Sequence, residues 1–381
     1  MTKTRRDFIR TVGGVGVMAA AGGLLTGCDE VDDAVTAAWR GPAPSSDPRR
    51  TLLGYALLAP NPHNMQPWLV DLREAGTITL YCDRDRLLPE TDPYGRQIMI
   101  GHGTFLEQLD LAASAAGIAT EIELFPDGDY PDGEIGEVAV ARVRLAADAS
   151  RKRDPLFDQI LRRRSTKEAF DDRPLATETA STLAAEFQGE PKLTLVRDGD
   201  LPATLRGIIT EAWDIEATTP RTHQESVDRM RIGAAEIARH RDGIDLAGPL
   251  FWWGKLFGLI NRETMADPTS YAFKSGVDMY HQMLAATPAF AWLSTPGNDR
   301  RTQVEAGRAY ARLNLQAAAL GVALHPVSQV LQEYPEMAAL QGRFLEAVGE
   351  QGRTVQMLVR LGYAETPKPS PRRRLDDIVM A

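Results

Sequence analysis

The chain has 381 residues, 43% hydrophobic and 25% charged, with a formal net charge of −9. Within residues 1–27, Lys3, Arg5, Arg6, Arg10 and Asp7 sum to +3, so −9 − 3 = −12 remains on the rest. So acidic a body excludes nucleic acid as a partner and electrostatic docking on anionic lipid.

The N-terminus reads as an address. Thr4-Arg5-Arg6-Asp7-Phe8-Ile9-Arg10 fits a twin-arginine export motif. The apolar run from Val12 to Leu25 is short for a membrane span of about 20 residues. It ends in Leu25-Thr26-Gly27-Cys28, which resembles a lipoprotein processing box with Cys28 as the lipidated residue; an uncleaved signal anchor is the competing reading. The glycines of Gly13-Gly14-Val15-Gly16 lie inside this segment with no strand before them, so they are not a nucleotide loop. Residues 29–48 are polar and contain Gly41-Pro42-Ala43-Pro44, the composition of a flexible tether, so folding should begin near Arg49. Cys82, in the strand-like run Thr77–Cys82, is the one thiol besides Cys28 and reads as a small buried hydrophobe.

An internal repeat divides the rest. Ile100–Ile118 laid over Val304–Val322, an offset of 204, gives identities at Gly103/Gly307, Leu109/Leu313, Leu111/Leu315, Ala113/Ala317, Ala115/Ala319 and Gly117/Gly321. Both stretches have helical apolar spacing and end at a Gly suited to the left-handed position after a helix. The halves fall at 49–150 and 151–381, and the second carries an extra, mostly helical insert over 205–285. Within the insert, Leu246–Ile260 is the most apolar run outside the signal. Interrupted by Pro249 and Lys255, it is too short to span a membrane; it reads as a core helix, a lid or a membrane-facing patch.

Two motifs carry chemistry. Ala59-Pro60-Asn61-Pro62-His63-Asn64-Met65-Gln66-Pro67-Trp68 fixes its backbone with three prolines and offers Asn61, His63 and Asn64 as short polar groups. Arg162-Arg163-Arg164-Ser165-Thr166 suits a compact anion, although consecutive arginines diverge by about 100° on a helix and cannot all face one point. The first motif resembles the Ala-Pro-Ser-x-x-Asn-x-Gln-Pro-Trp loop of the nitroreductase family, and the second the Arg-Arg-Ser piece of the same signature. In that family the pieces occur in the opposite order, and each FMN site takes one from each subunit of a dimer. Here they fall in two halves of one chain, which implies a single-chain imitation of that dimer, as in the family's two-domain branch. The implied fold is α+β, three layers of antiparallel or mixed sheets with helices.

The resemblance implies FMN as cofactor, with Arg163, Arg164 and Ser165 on its phosphate. Arg372 and Arg374 would join them from Pro371-Arg372-Arg373-Arg374-Leu375, since alternate residues of an extended segment share a side. Asn61, His63 and Asn64 would face the ring. His325 and the Val327 amide, in Leu324-His325-Pro326-Val327-Ser328, would lie near its reactive edge; Pro326 has no amide to offer. Arg49-Arg50-Thr51 is the nearest remnant of an arginine motif for half one, and Ala184–Val196 has no Asn-x-Gln-Pro-Trp, so one site is expected rather than two. No catalytic side chain and no metal is expected, because the flavin moves the electrons. The implied activity is oxidoreduction of a nitro, quinone or similar acceptor outside the cytoplasm, by a lipid-anchored monomer drawing on membrane quinol or a partner protein. The alternative from another class is a non-catalytic flavin-sequestering protein with a lidded site.

Overall fold

A computed structural model describes residues 30–131 and 133–380; the export motif, the apolar run and Cys28 lie outside the described residues. Eleven described α-helices and ten strands are numbered in chain order. Half one runs α1 (Pro48–Ala56), β1 (Trp68–Asp71), β2 (Thr77–Cys82), α2 (Arg96–Ala115), β3 (Ile118–Leu124) and β4 (Ala141–Ala147). Half two opens with α3 (Thr177–Ala185) and β5 (Lys192–Val196). An excursion follows: α4 (Leu201–Thr218), α5 (Pro220–Asp228), β6 (Met230–Ile232), α6 (Ala234–His240), β7 (Ile244–Leu246), α7 (Pro249–Leu256), α8 (Arg262–Ala266) and α9 (Tyr271–Ala285). Half two then resumes with β8 (Ala289–Thr295), α10 (Arg300–Ala319), β9 (Ala323–Pro326), α11 (Ala338–Val348) and β10 (Thr354–Gly362).

The α+β expectation matches the structure. One antiparallel sheet has the order β1-β2-β4-β3 and the other β5-β8-β10-β9, the same topology at corresponding positions. β6 and β7 form a small parallel pair inside the insert. α2 buries Ile98, Phe105, Leu109 and Ala113 against half one's sheet, while α10 buries Tyr310, Leu313 and Ala317 against half two's. Gly117 (φ 66°) and Gly321 (φ 68°) end the two helices in the left-handed conformation that a Cβ disfavours.

The repeated helices cross with their backbones in contact. A Cβ built on Gly103 would lie 1.9 Å from the Val304 carbonyl oxygen, and one on Gly307 would lie 2.0 Å from that of Ile100. Val304 is the repeat counterpart of Ile100, so the contact is reciprocal, as at a two-fold subunit interface. Arg96 and Arg300, also 204 residues apart, extend the relation. Arg96, buried, donates to the Leu331, Val355 and Gln356 carbonyls of half two. Arg300 donates to the Glu134 carbonyl of half one at 2.8 Å. Glu107 accepts from Arg308 at 2.9 Å and Arg312 at 2.8 Å across the same seam.

Three expectations change. Residues 33–40 are no flexible tether. They form two 3₁₀ turns, bury Trp39, and bond its Nε1 to the Ser370 carbonyl at 2.8 Å, because a large indole recovers more by burial than a free linker does. The C-terminal tail does not stay with half two. Ile378 joins half one's core and Val379 bridges Val70, closing an open strand edge. Leu246–Ile260 is not a core helix: Leu250, Leu256, Phe257 and Leu259 are exposed, and Lys255 ties α7 to Ile232 and Glu236 within the insert.

Gly103→Ala and Gly307→Ala should each force the halves apart and lower stability by about 1–3 kcal/mol or more. Gly342→Ala, at a helical site with nothing within 4 Å, should instead raise it by about 0.4–1 kcal/mol. Urea midpoints decide; equal effects at 103 and 342 would contradict the close crossing.

Candidate functional site

The Ala59–Trp68 loop leaves α1 and packs on α2. Thr104 Oγ1 donates to the Pro60 carbonyl at 2.6 Å, and Gly101 leaves room for Asn61 and Pro62. His63 (φ 47°), Asn64 (φ 53°) and Gln66 (φ 52°) all adopt the left-handed region, a concentration of strain typical of positions set by function. The strain is held from several sides. Buried Gln66 donates to the Arg241 carbonyl at 2.9 Å and accepts from the Arg373 amide at 2.8 Å, while the Gly243 amide donates to the Asn64 carbonyl at 3.1 Å.

The arginine segment is fixed to half two. Thr166 N donates to the Leu324 carbonyl at 3.0 Å, laying the segment beside β9. Buried Arg360 donates to the Thr166 and Glu168 carbonyls at 2.8 and 2.6 Å and lies over the Phe170 ring.

The arginine motif and the C-terminal segment converge on Trp39. Arg163, Arg164 and Arg372 place their guanidinium carbons 5.4, 4.2 and 4.9 Å from its ring. Arg163 and Arg372 both donate to the Leu58 carbonyl, at 3.0 and 3.3 Å, and Arg372 also donates to Asn64 Oδ1 at 2.8 Å. Ser165 Oγ lies 3.5 Å from Arg163 Nη1. The structure thus joins Asn64, Arg163, Arg164, Ser165 and Arg372 in one cluster. Arg162 is exposed.

Electrostatically the cluster is unbalanced. Among the described residues, none of the three arginines forms an ion pair, and the Nε of each is buried without a partner. Burial, and then the Arg164 charge, holds the Arg163 guanidinium down at about 10. Burial and the charges of Arg163 and Arg164 hold Arg372 well below the ordinary value, with Asp245 opposing. Half one's remnant is quenched: Arg49 pairs with Asp47 at 2.8 Å and donates to the Leu72, Glu74 and Thr77 carbonyls, and Arg50 pairs with Asp376.

A second group stands further along the strip. His325 is buried, and its Nδ1 accepts from Arg360 Nε at 3.1 Å, which leaves the ring hydrogen on Nε2. Burial, with Arg360 and Lys167, pulls its value well below that of a free imidazole. His63 responds to the same Lys167: burial, then Lys167 and Arg229, pulls it down to about 4, and its Nδ1 is sealed from solvent without a partner.

Other expected contacts fail. Arg374 is exposed and paired with Asp377 at 2.9 Å; the tail turns there into a 3₁₀ step, so 372 and 373 are buried and 374 is not. Arg373, which the alternation rule omitted, instead ties Gln66 to Asp83. Val327 offers no free amide, because its N–H continues the ladder to the Leu358 carbonyl at 2.9 Å. Asn61 spends its side chain inside its own loop, on the Ala59 carbonyl and the Gln66 amide.

Sequence reading missed Arg360, Tyr280 and Glu216, which carry no motif. Tyr280 stacks on Trp213 at 3.8 Å and meets His325 edge-on at 6.5 Å. Glu216, buried on α4, accepts from Gln332 at 2.9 Å, and burial, against that bond and aided by Glu225, pushes its carboxyl up to about 7.

With this geometry in view, comparison with known proteins is informative. No family model matches the chain. It is 26% identical over 358 residues to the Mycobacterium tuberculosis protein called "Putative NAD(P)H nitroreductase acg", covering 88% of this chain and 96% of that one. A second M. tuberculosis protein with a nitroreductase name is 27% identical over 346 residues, covering 88% and 92%. Among solved structures, the FMN-dependent nitroreductase NfnB of Mycobacterium smegmatis, in complex with NADPH, aligns with 57% of this chain and 94% of its own at 18% identity and a TM-score of 0.36.

The Glu216 carboxyl binds its proton more tightly folded, at about 7, than at its ordinary 4.5. Its stabilisation is therefore present below pH 4.5 and lost as pH rises through about 7. Against Glu216→Gln, the parent should lose up to ~3 kcal/mol of relative stability across that window. Urea titrations at several pH values test this, and parallel profiles would contradict it.

Proposed function

We propose that the protein is an FMN-dependent oxidoreductase of nitroreductase type, with one flavin site between its two halves. The observation that carries the reading is the cluster of buried Arg163 and Arg372 with half-buried Arg164, drawn from two separated segments and, among the described residues, lacking any carboxylate partner. Like charges are gathered away from water only at a cost, which a dianionic phosphate offsets through charge-assisted bonds. The residues fit such a group, since three guanidinium Nε–H donors are buried without acceptors and Ser165 adds a hydroxyl. His63 comes from half one's loop and His325 from half two, so both halves supply groups for the ring system, while Asn64, accepting from Arg372 at 2.8 Å and donating to the Pro371 carbonyl at 3.1 Å, ties the loop to the arginines. The full-length likeness to proteins with NAD(P)H nitroreductase names supports the same assignment.

When bound, the flavin supplies the capacity to accept and pass on electrons. The chain's own groups bind and tune. Arg163 and Arg372 share the Leu58 carbonyl, which sets their heads side by side. Arg360 fixes the His325 tautomer, so a neutral imidazole presents an N–H without placing a positive charge there. His63, with a value near 4, is likewise neutral at pH 7.

Residues 1–28 support a further part of the proposal: export by the twin-arginine route, lipidation of Cys28 and residence at a membrane outside the cytoplasm. Nicotinamide donors belong to the cytoplasm, so the donor at that location is membrane quinol or a partner protein, and the acceptor a small nitro or quinone compound.

The purified protein should be yellow with an oxidised-flavin spectrum. Arg163→Met and Arg372→Met should each weaken FMN binding at least about tenfold, as loss of a charge-assisted bond of roughly 1.5–3 kcal/mol requires, while Arg374→Met leaves it unchanged. Under anaerobic conditions a quinol should bleach the flavin faster than NADPH does. A colourless protein that stays so with added FMN would overturn the assignment, and faster bleaching by NADPH would overturn the donor.

A further inference from the structure

The insert carries an apolar surface that the flavin site does not use. Among the described residues ten large hydrophobic side chains are exposed, and six of them fall within 250–279, which places them on one excursion rather than scattered. Leu250 is 64% exposed, Leu256 59%, Phe257 60% and Leu259 63%, all within ten residues of chain; Tyr271 and Met279 follow on α9. The Trp252 and Trp253 indoles meet at 4.5 Å, and Phe257 stacks on Trp253 at 5.6 Å. Pro249 starts α7, and Gly254, against which Ile260 packs, lets the chain turn back. The charges here are spent locally, since Lys255 and Arg262 both pair with Glu236. What remains outward is aliphatic and aromatic, with indoles beside it as at a bilayer interface.

Arg241, eight residues before Pro249, donates to the Ala34 carbonyl at 3.0 Å, so the start of the described chain lies against the insert. Cys28 is six residues before Ala34, a reach of at most about 20 Å. A lipid attached at Cys28 would thus hold the bilayer on the insert's side of the molecule. That side also carries the arginine cluster, because the Arg372 amide donates to the Val35 carbonyl at 3.2 Å.

We propose that the 250–259 segment docks into the lipid bilayer surface as a second contact beside the lipid on Cys28. The inference rests on the lipid-anchor reading above, yet it is separable from it. A single chain or patch gives marginal, reversible binding, whereas two contacts together hold firmly. The acidic body makes attraction to anionic headgroups the wrong force, so the contact is apolar and insensitive to salt. It also fixes the orientation of the molecule on the bilayer.

The test uses the full chain in phosphatidylcholine vesicles with brominated acyl tails, which quench tryptophan that enters the hydrocarbon. The parent should be quenched equally at low and high salt. The quenching should be lost in Leu250→Asp/Phe257→Asp/Leu259→Asp, whose changes fall on exposed positions and leave the fold and flavin spectrum intact. It should also be lost in Trp252→Phe/Trp253→Phe, which removes the reporters. Quenching that persists in both variants would overturn the proposal. So would a parent that sediments as a dimer while the Asp variant is a monomer, since the patch would then cover a second copy. Mass measurement of Cys28 judges the anchor separately: an unmodified cysteine with intact quenching removes the lipid and keeps the docking surface.

Discussion

The rest of the structure depends on the contact between Gly103 and Gly307. Two helices meet there backbone to backbone, each glycine occupying the space a side chain would need beside the other's carbonyl. Close approach places the two sheets at a fixed separation, with α2 on one and α10 on the other. Arg96, Arg300 and Glu107 then hydrogen-bond across the seam while buried. A dimer interface in one covalent chain needs no second molecule to form it, and nothing obliges its two sides to stay alike.

They have not stayed alike. Half two interrupts the β5–β8 hairpin with six helices, where half one joins β1 to β2 by a short turn. Half one's nearest arginines are neutralised by Asp47, Asp376 and backbone carbonyls, while Arg163, Arg164 and Arg372 are left without acids. The difference is one of charge balance rather than arginine count. Unbalanced buried cations are the costly state, and beside half one's strained loop three arginines share it as a group. The insert helps hold that loop through Arg241 and Gly243, so the asymmetric addition supports the loop beside the arginines.

Much of this was legible in the chain. The repeat located α2 and α10, and its shared glycines marked both the helix ends and the crossing. The loop, the arginine motif and the C-terminal basic segment identified Asn64, Arg163, Arg164, Ser165 and Arg372, which the fold brings together. Failures came where local pattern met tertiary context. Alternation selected Arg374, but a 3₁₀ step put Arg373 inside. Composition made residues 29–48 a tether, yet Trp39 gives them an anchor beneath the arginines. Apolar density made Leu246–Ile260 a core candidate, although its position on an outlying insert leaves it exposed. Arg360 and Glu216 carry no motif, since their roles come from burial that single-sequence periodicity does not reveal.

The central claim is that the clustered arginines exist to hold a phosphate. Titrating the apoprotein with FMN and, separately, with riboflavin, which shares the ring but lacks the dianion, tests it most directly. The account predicts far tighter binding of FMN, with the difference collapsing in Arg163→Met/Arg372→Met. Equal affinity for the two flavins in the parent protein, or a preference unchanged by removing both arginines, would contradict it.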